Sequence, residues 1–203
     1  IKKILSCNLR SNQRTIRRAN LSRSNGLGLT PVIWQITRPR LASNNWLSLP
    51  VSWADVRCDD LDEIAAAREV FRKPRLHITI IGSKHGRELA NRLDAGGRAA
   101  LWRLAEATDW RFRLLPQRFF VRKEYTDLAE RRASIVQMVE LPGLEQFLCG
   151  VTRLSGVAFE WPFPHLTLYA VSTIEANVAS GIGINSEREF RELSLETLPP
   201  YQG

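Results

Sequence analysis

Apolar positions follow two rhythms along this chain, and the switches between them predict its elements. Strand-like runs rich in β-branched or aromatic residues fall at 31–37 (PVIWQIT), 75–81 (RLHITII), 133–140 (ASIVQMVE) and 163–171 (FPHLTLYAV). Residues 110–115 and 118–123 read as two strands around Pro116, and the alternating 190–198 (FRELSLETL) as a final strand. Helical spacing marks 60–71 (DLDEIAAAREVF), which has an acidic first turn, then 88–107 and 144–154. The Gly96-Gly97 pair inside the second of these helices is the expected point of a break or bend. Strands and helices interleave over the whole length, so the class is α/β or α+β rather than a bundle or a sandwich. The connections are short enough for hairpins as well as crossovers, and mixed sheets are expected.

Composition sets limits on this picture. With 203 residues the chain can bury one domain, or two small lobes that share a cleft. A hydrophobic fraction of 44%, with six Trp and eight Phe, is that of a globular protein. No apolar run reaches bilayer length, so a soluble chain with no membrane partner is expected. The formal charge of +8 is unevenly spread. Residues 1–54 hold nine Lys or Arg and no acid, leaving 20 basic against 21 acidic residues in the rest. The basic N-terminal segment, 1–29, either steers a polyanion or is a solvated tail. Its Arg-, Ser- and Asn-rich, acid-free composition resembles a transit peptide, and a truncated bacterial cytoplasmic protein fits equally well. The three cysteines, Cys7, Cys58 and Cys149, are odd in number and widely spaced, which argues against a disulfide framework or a structural zinc site and points to a reducing, cytoplasmic setting.

The candidate chemistry lies in two short phrases. Of three histidines, two sit in the same local pattern, Leu76-His77-Ile78-Thr79-Ile80 and Pro164-His165-Leu166-Thr167-Leu168. In a strand, alternation puts His77 and Thr79 on one face, with Leu76, Ile78 and Ile80 on the other. The same rule groups His165, Thr167 and Tyr169 against Leu166, Leu168 and Ala170. Each strand then has an apolar back and a front that displays an imidazole and a hydroxyl. A single His-x-Thr is a weak signal, because a half-buried His commonly satisfies a backbone carbonyl. Two of three histidines carrying Thr at +2 by chance is roughly a one in a hundred event at ordinary Thr frequency.

In-line cleavage of a phosphodiester needs a base on the nucleophile and an acid on the leaving oxygen, and imidazole titrates in the right range for both. Charge that develops on the non-bridging oxygens needs donors at fixed positions. A Thr two residues along the same strand supplies a rotamer-restricted hydroxyl beside its His. Two copies supply a complete site.

His77-Ile78-Thr79 and His165-Leu166-Thr167, the latter within Phe163-Pro164-His165-Leu166-Thr167-Leu168-Tyr169, resemble the paired motifs of the 2H phosphoesterase superfamily. That superfamily includes 2′-5′ RNA ligase-like proteins and cyclic nucleotide phosphodiesterases. The resemblance implies an α+β, bilobal, pseudo-symmetric fold over 30–203, with two mixed or antiparallel sheets flanking a central cleft and helices outside. It covers most of the chain from about Val32 to Leu198 and leaves 1–29 without a counterpart. It implies hydrolysis of 2′,3′-cyclic or 2′-5′ phosphodiesters of RNA ends or nucleotides by a monomer, with His77 and His165 catalytic and with no metal or other cofactor. The alternative is a catalytically inactive RNA-binding protein that uses the same cleft and the basic N-terminal segment. A metal hydrolase lacks support, since no His-x-x-x-His or similar ligand spacing occurs.

Thr79 and Thr167 are the expected phosphate donors. Arg75, on the His77 face, either adds a charge to the phosphate or is a solvent-facing strand end. Tyr169 either contacts a nucleotide or packs at its strand end. Phe119, Phe120, Tyr125, Trp161 and Phe163 are candidates for a base-stacking platform, although most aromatics in a domain of this size are core. His85 has no Thr at +2 and is expected in a surface loop.

Overall fold

A computed structural model describes residues 34–42, 46–156, 162–178 and 180–201. The basic segment 1–29, the first part of the expected strand 31–37, Cys7 and Trp161 lie outside the described residues. In chain order the elements are β1 (Gln35–Ile36), β2 (Arg40–Leu41), β3 (Leu47–Val51), α1 (Asp62–Ala67), β4 (Phe71–Arg72), β5 (Leu76–Ile81), α2 (Ser83–Arg92) and α3 (Ala95–Ala107). They continue with β6 (Arg111–Tyr125), β7 (Glu130–Glu140), α4 (Gly143–Ser155), β8 (His165–Ser172), α5 (Glu187–Glu192) and β9 (Ser194–Thr197). The class is α+β.

Several boundaries depart from expectation for identifiable reasons. The helix expected over 60–71 ends at Ala67, because Glu69 takes a left-handed conformation (φ 54°) and releases Phe71 and Arg72 to pair with β8. The long helix 88–107 is two helices. The break falls at Leu93 and Asp94, not at the glycine pair, and the Asp94 carboxylate caps α3 by accepting from the Gly97 amide at 2.7 Å. The two strands expected over 110–115 and 118–123 are one, β6, which runs through Pro116 with a register shift between Leu114 and Arg118 that accommodates the missing N–H. Residues 190–198 begin as helix and turn to strand only at Ser194. There the Ser186 hydroxyl accepts from the Glu189 amide and the Glu189 carboxylate reaches back to the Asn185 amide.

Among the described residues the strands form one nine-stranded antiparallel sheet, in the order β1-β6-β7-β8-β5-β3-β2. β9 and β1 share the outer edge of β6, and β4 lies beside β5 along β8. This corrects the expectation of two separate sheets and, of the mixed and antiparallel alternatives, matches the antiparallel one. No described pair is parallel, and the sheet is continuous because β8 bonds β7 on one edge and both β4 and β5 on the other.

The back of the sheet carries the main core. Ile78, Ile80, Leu166, Leu168 and Ile135 pack there with Leu89 and Leu93 at the end of α2, Leu101 of α3, and Phe147 and Val151 of α4. α4 shows why its sequence makes a helix with one buried side, since Leu144, Phe147, Leu148 and Val151 recur at three- and four-residue spacing. Gly156 ends it in the left-handed conformation (φ 68°), with its amide bonded to the Thr152 carbonyl. A smaller cluster occupies the front: Val121, Val136 and Met138 lie under Ile182, Ile184 and Phe190. No helix among the described residues is long and apolar enough to cross a membrane.

Candidate active site

The two His-x-Thr triplets meet. β5 and β8 pair through Ile78 opposite Leu166, which are the middle residues of the two triplets. Carried one residue to each side, this antiparallel register sets His77 against Thr167 and Thr79 against His165. Opposed residues lie about 4.5–5.5 Å apart at Cβ and diagonal ones about 7–8 Å apart. The two imidazoles therefore stand diagonally, related by a local two-fold, with a hydroxyl beside each.

Burial follows the alternation in β5. Leu76, Ile78 and Ile80 are buried in the main core while His77 and Thr79 are half-buried on the front. On one side β3 adds Pro50 opposite His77 and the buried Ser48 opposite Thr79. On the other, β7 adds Met138 opposite His165 and Val136 opposite Thr167. Trp46 stands edge-on to His77, with ring centroids 5.3 Å apart and planes at 83°. Thr167 is almost fully covered, in part by the chain at Gly181, where a Cβ would come within 2.9 Å of the Thr167 Oγ1. Glycine at 181 thus allows the segment between β8 and α5 to close over this end of the site.

The imidazoles differ in their surroundings. The His165 Nδ1 lies 2.8 Å from the Phe163 carbonyl. A carbonyl only accepts, so Nδ1 carries the hydrogen and Nε2 is left to exchange a proton. Burial lowers the His165 pKa, and Lys73 lowers it further, while the carbonyls of Phe163 and Ile182 and the Glu189 carboxylate favour its charged form. His77 has no such support. Burial, then the charges of Lys73 and His165, bring its pKa down to about 4. Each ring senses the same lysine.

Lys73 is a residue that the sequence reading missed. Its amide donates to the Leu168 carbonyl at 2.9 Å, and its own carbonyl accepts from the Trp53 indole at 2.9 Å. It sits in the gap between β4 and β5, along the same edge of β8. Arg72, the preceding residue, stacks its guanidinium on Trp53 at 4.0 Å, and the Lys73 charge acts on both His77 and His165, which puts its ammonium within electrostatic reach of the two rings. Lys73 is only 9% exposed, and burial lowers its pKa. A lysine after a short β-hairpin edge and before a proline carries no sequence signal for burial. Ser48 was missed for a different reason, since Pro50 hid the strand that carries it.

Tyr169 needs correction. A register shift between Ile135 and Val136 leaves Leu168 without a partner on β7, so Thr167 opposes Val136 and Tyr169 opposes Ile135. The extra residue turns Tyr169 to the back of the sheet, away from His165 and Thr167. There its ring is buried and its hydroxyl donates to Asp62 at 2.5 Å. Arg75 is exposed just before β5.

The stacking candidates among the described residues are engaged with other side chains. Phe119 and Phe163 pack on Phe190, at 5.2 and 4.5 Å between centroids, and Phe120 is buried in the main core. Tyr125 is flanked by Lys123 and Arg132. His85 lies in the first turn of α2, not in a loop, and is half-buried. A broad recess is lined by Lys84, Arg122, Lys123, Arg131, Arg132 and Arg188 among others, and it includes neither His77 nor His165.

No protein-family model matches the chain, and no curated protein or solved structure matches it significantly. Among the described residues, no three His, Cys, Asp or Glu side chains gather as a metal site. The chemistry has to be read from the two triplets themselves.

Proposed function

We propose that this chain is a metal-independent phosphodiesterase of the 2H type that opens 2′,3′-cyclic phosphates of RNA ends or nucleotides by general acid–base catalysis. The observation that carries this reading is the pairing of β5 with β8 through the middles of the two triplets, which gives each imidazole a hydroxyl neighbour from the other strand. On the same reading the sheet is a 2H phosphoesterase fold, with its two halves joined where the motifs pair.

The surroundings of the two rings suggest their roles. His77, with a pKa near 4, is neutral across the physiological range and suits the base. His165, flanked by two carbonyls and Glu189, is the ring whose protonated form has support and suits the acid. His77 takes a proton from water as the water oxygen bonds to phosphorus. The bond from phosphorus to the 3′-oxygen breaks, and His165 Nε2 gives its proton to that oxygen. The products are a 2′-phosphate and a 3′-hydroxyl. Thr79, Thr167 and Ser48 are the hydroxyls available to the non-bridging oxygens.

The test is turnover of a 2′,3′-cyclic nucleotide in the presence of a chelator, between pH 5 and 8. His77→Ala and His165→Ala are each expected to lower kcat by about 10²-fold or more, as loss of a general acid or base does. Full activity in His165→Ala would overturn the mechanism. Absence of turnover in the wild type, with RNA binding retained, would instead support a binding protein.

A further inference from the structure

Beside the two histidines lies a lysine whose side chain is mostly covered and whose charge no ion pair among the described residues meets. Lys73 is 9% exposed as a residue, and its ammonium makes no hydrogen bond or ion pair among the described residues, so the tip of a mostly covered side chain is left to meet solvent or a ligand. Its backbone is anchored one residue from Thr167, through the Leu168 carbonyl, and four residues before His77. This anchor sets Lys73 beside the paired strands that carry both triplets. Covering most of a lysine without an anion or acceptors at its ammonium carries a desolvation cost, which an anionic ligand at that point would offset. The charge lowers the pKa of both histidines, which agrees with an ammonium close to each.

From this geometry we infer that Lys73 is the cationic ligand of a phosphoryl group seated between His77 and His165. The inference rests on the proposed function and adds the group that meets the substrate's charge. The ligand is a phosphate ester or inorganic phosphate, held by the ammonium on a non-bridging oxygen, with the threonine hydroxyls on its flanks. An anion at this point has a second consequence. It offsets the field of Lys73 at His165, and so lets the acid hold its proton when substrate is bound.

The experiment measures binding of inorganic phosphate and of a nucleoside 2′-monophosphate by calorimetry, together with kcat and KM for a 2′,3′-cyclic nucleotide, in the wild type and in Lys73→Met. The substitution keeps the length of the side chain and removes the charge. Phosphate affinity is expected to fall by about tenfold or more, and kcat by about 10²-fold, as when a preorganised donor is removed from a developing oxyanion. Lys73→Gln provides the same readout should the Met variant fail to fold. Phosphate affinity equal to that of the wild type in either folded variant overturns the inference, and so does a wild type that binds no phosphate. These outcomes are separable from the function itself. Loss of phosphate binding in the variant supports a Lys73 anion site even where no diester is cleaved, whereas normal cleavage by Lys73→Met removes the lysine and leaves the two histidines standing.

Discussion

Two buried cations, Arg118 and Lys73, lie in one sheet and are treated in opposite ways. Arg118, 1% exposed, is satisfied at every nitrogen. Its Nε donates to Gln137 at 2.7 Å, its Nη1 to Asp60 at 2.5 Å and its Nη2 to the Arg57 carbonyl at 2.8 Å. The Tyr201 ring lies 5.0 Å from its guanidinium carbon. These contacts tie the turn before α1, strands β6 and β7, and the C-terminal residues to one point. Lys73 is also mostly covered, at 9% exposed, and has none of these partners. A planar guanidinium with its acceptors in place is a structural clasp. A compact ammonium without them, beside two histidines, is a site prepared for something that the chain does not supply.

The largest effect should come from cutting the clasp. Arg118→Met would leave the Gln137 amide oxygen and the Arg57 carbonyl without their donor, and Asp60 without its charge partner. The expected loss is on the order of 3 kcal/mol, read as a lower urea midpoint at unchanged slope. Asp60 is half exposed and recovers solvent, which keeps the loss below that of a fully buried pair. A loss under about 1 kcal/mol would mean that satisfied hydrogen bonds do not distinguish the two cations, since surface changes alone are of that size.

The next effect belongs to pH. The His77 pKa falls from 6.5 in the unfolded chain to about 4 in the folded one. The unfolded state therefore binds protons more readily in this window. Stability is complete above pH 6.5 and declines as pH falls toward 4. The full shift would correspond to about 3 kcal/mol, and partial exposure of the ring reduces this to on the order of 2 kcal/mol. His165 acts in the same direction. The carboxylates are separable because their window is lower. Glu130, held down to about 2 by Arg132, Ser172 and Asn177, loses its contribution only below about pH 4.5. Urea midpoints between pH 6.5 and 4.5 in the wild type and in Lys73→Met check this, and the decline should be shallower without the lysine. A flat profile in the wild type would mean that His77 is not held neutral by its surroundings.

What sequence alone revealed of these regions follows from the range of each interaction. The triplets were legible because alternation is local, and in β5 it holds from Leu76 to Ile80. The face of Tyr169 was not legible, because alternation assumes an unbroken ladder and one unpaired residue, Leu168, reverses it. Helix α4 was read almost to its ends from its apolar spacing. Helix α5 was not, although Ser186 and Glu189 carry the capping-box spacing that could have marked its start. The break between α2 and α3 illustrates a choice between two local signals: the Asp94 cap prevails, and the glycines fit within the first turn of α3. Arg118 and Lys73 lay beyond this reach. Each is buried by strands or turns far away in the chain, and a charged residue in a short polar run gives no sign of whether its neighbours in space will be acceptors.

The smallest effect is the one that separates the two cations most directly. Lys73→Met removes a charge that has no partner from a mostly covered side chain, so no acceptor is orphaned and the methionine stem fills the same space. Folding no longer has to strip water from an ammonium. The expected change is between zero and about 1 kcal/mol of added stability, opposite in sign to that of Arg118→Met. Sulfate or phosphate in the buffer should narrow or reverse the difference, because an anion that binds only the folded wild type stabilises it by mass action and finds less purchase in the variant. A stability trade of this kind, with the substitution more stable in plain buffer and the wild type recovering as phosphate rises, is what a group kept for its ligand would produce. Should Lys73→Met lose as much stability as Arg118→Met, in buffer free of anions, then the ammonium is already satisfied within the fold and the contrast between the two cations fails.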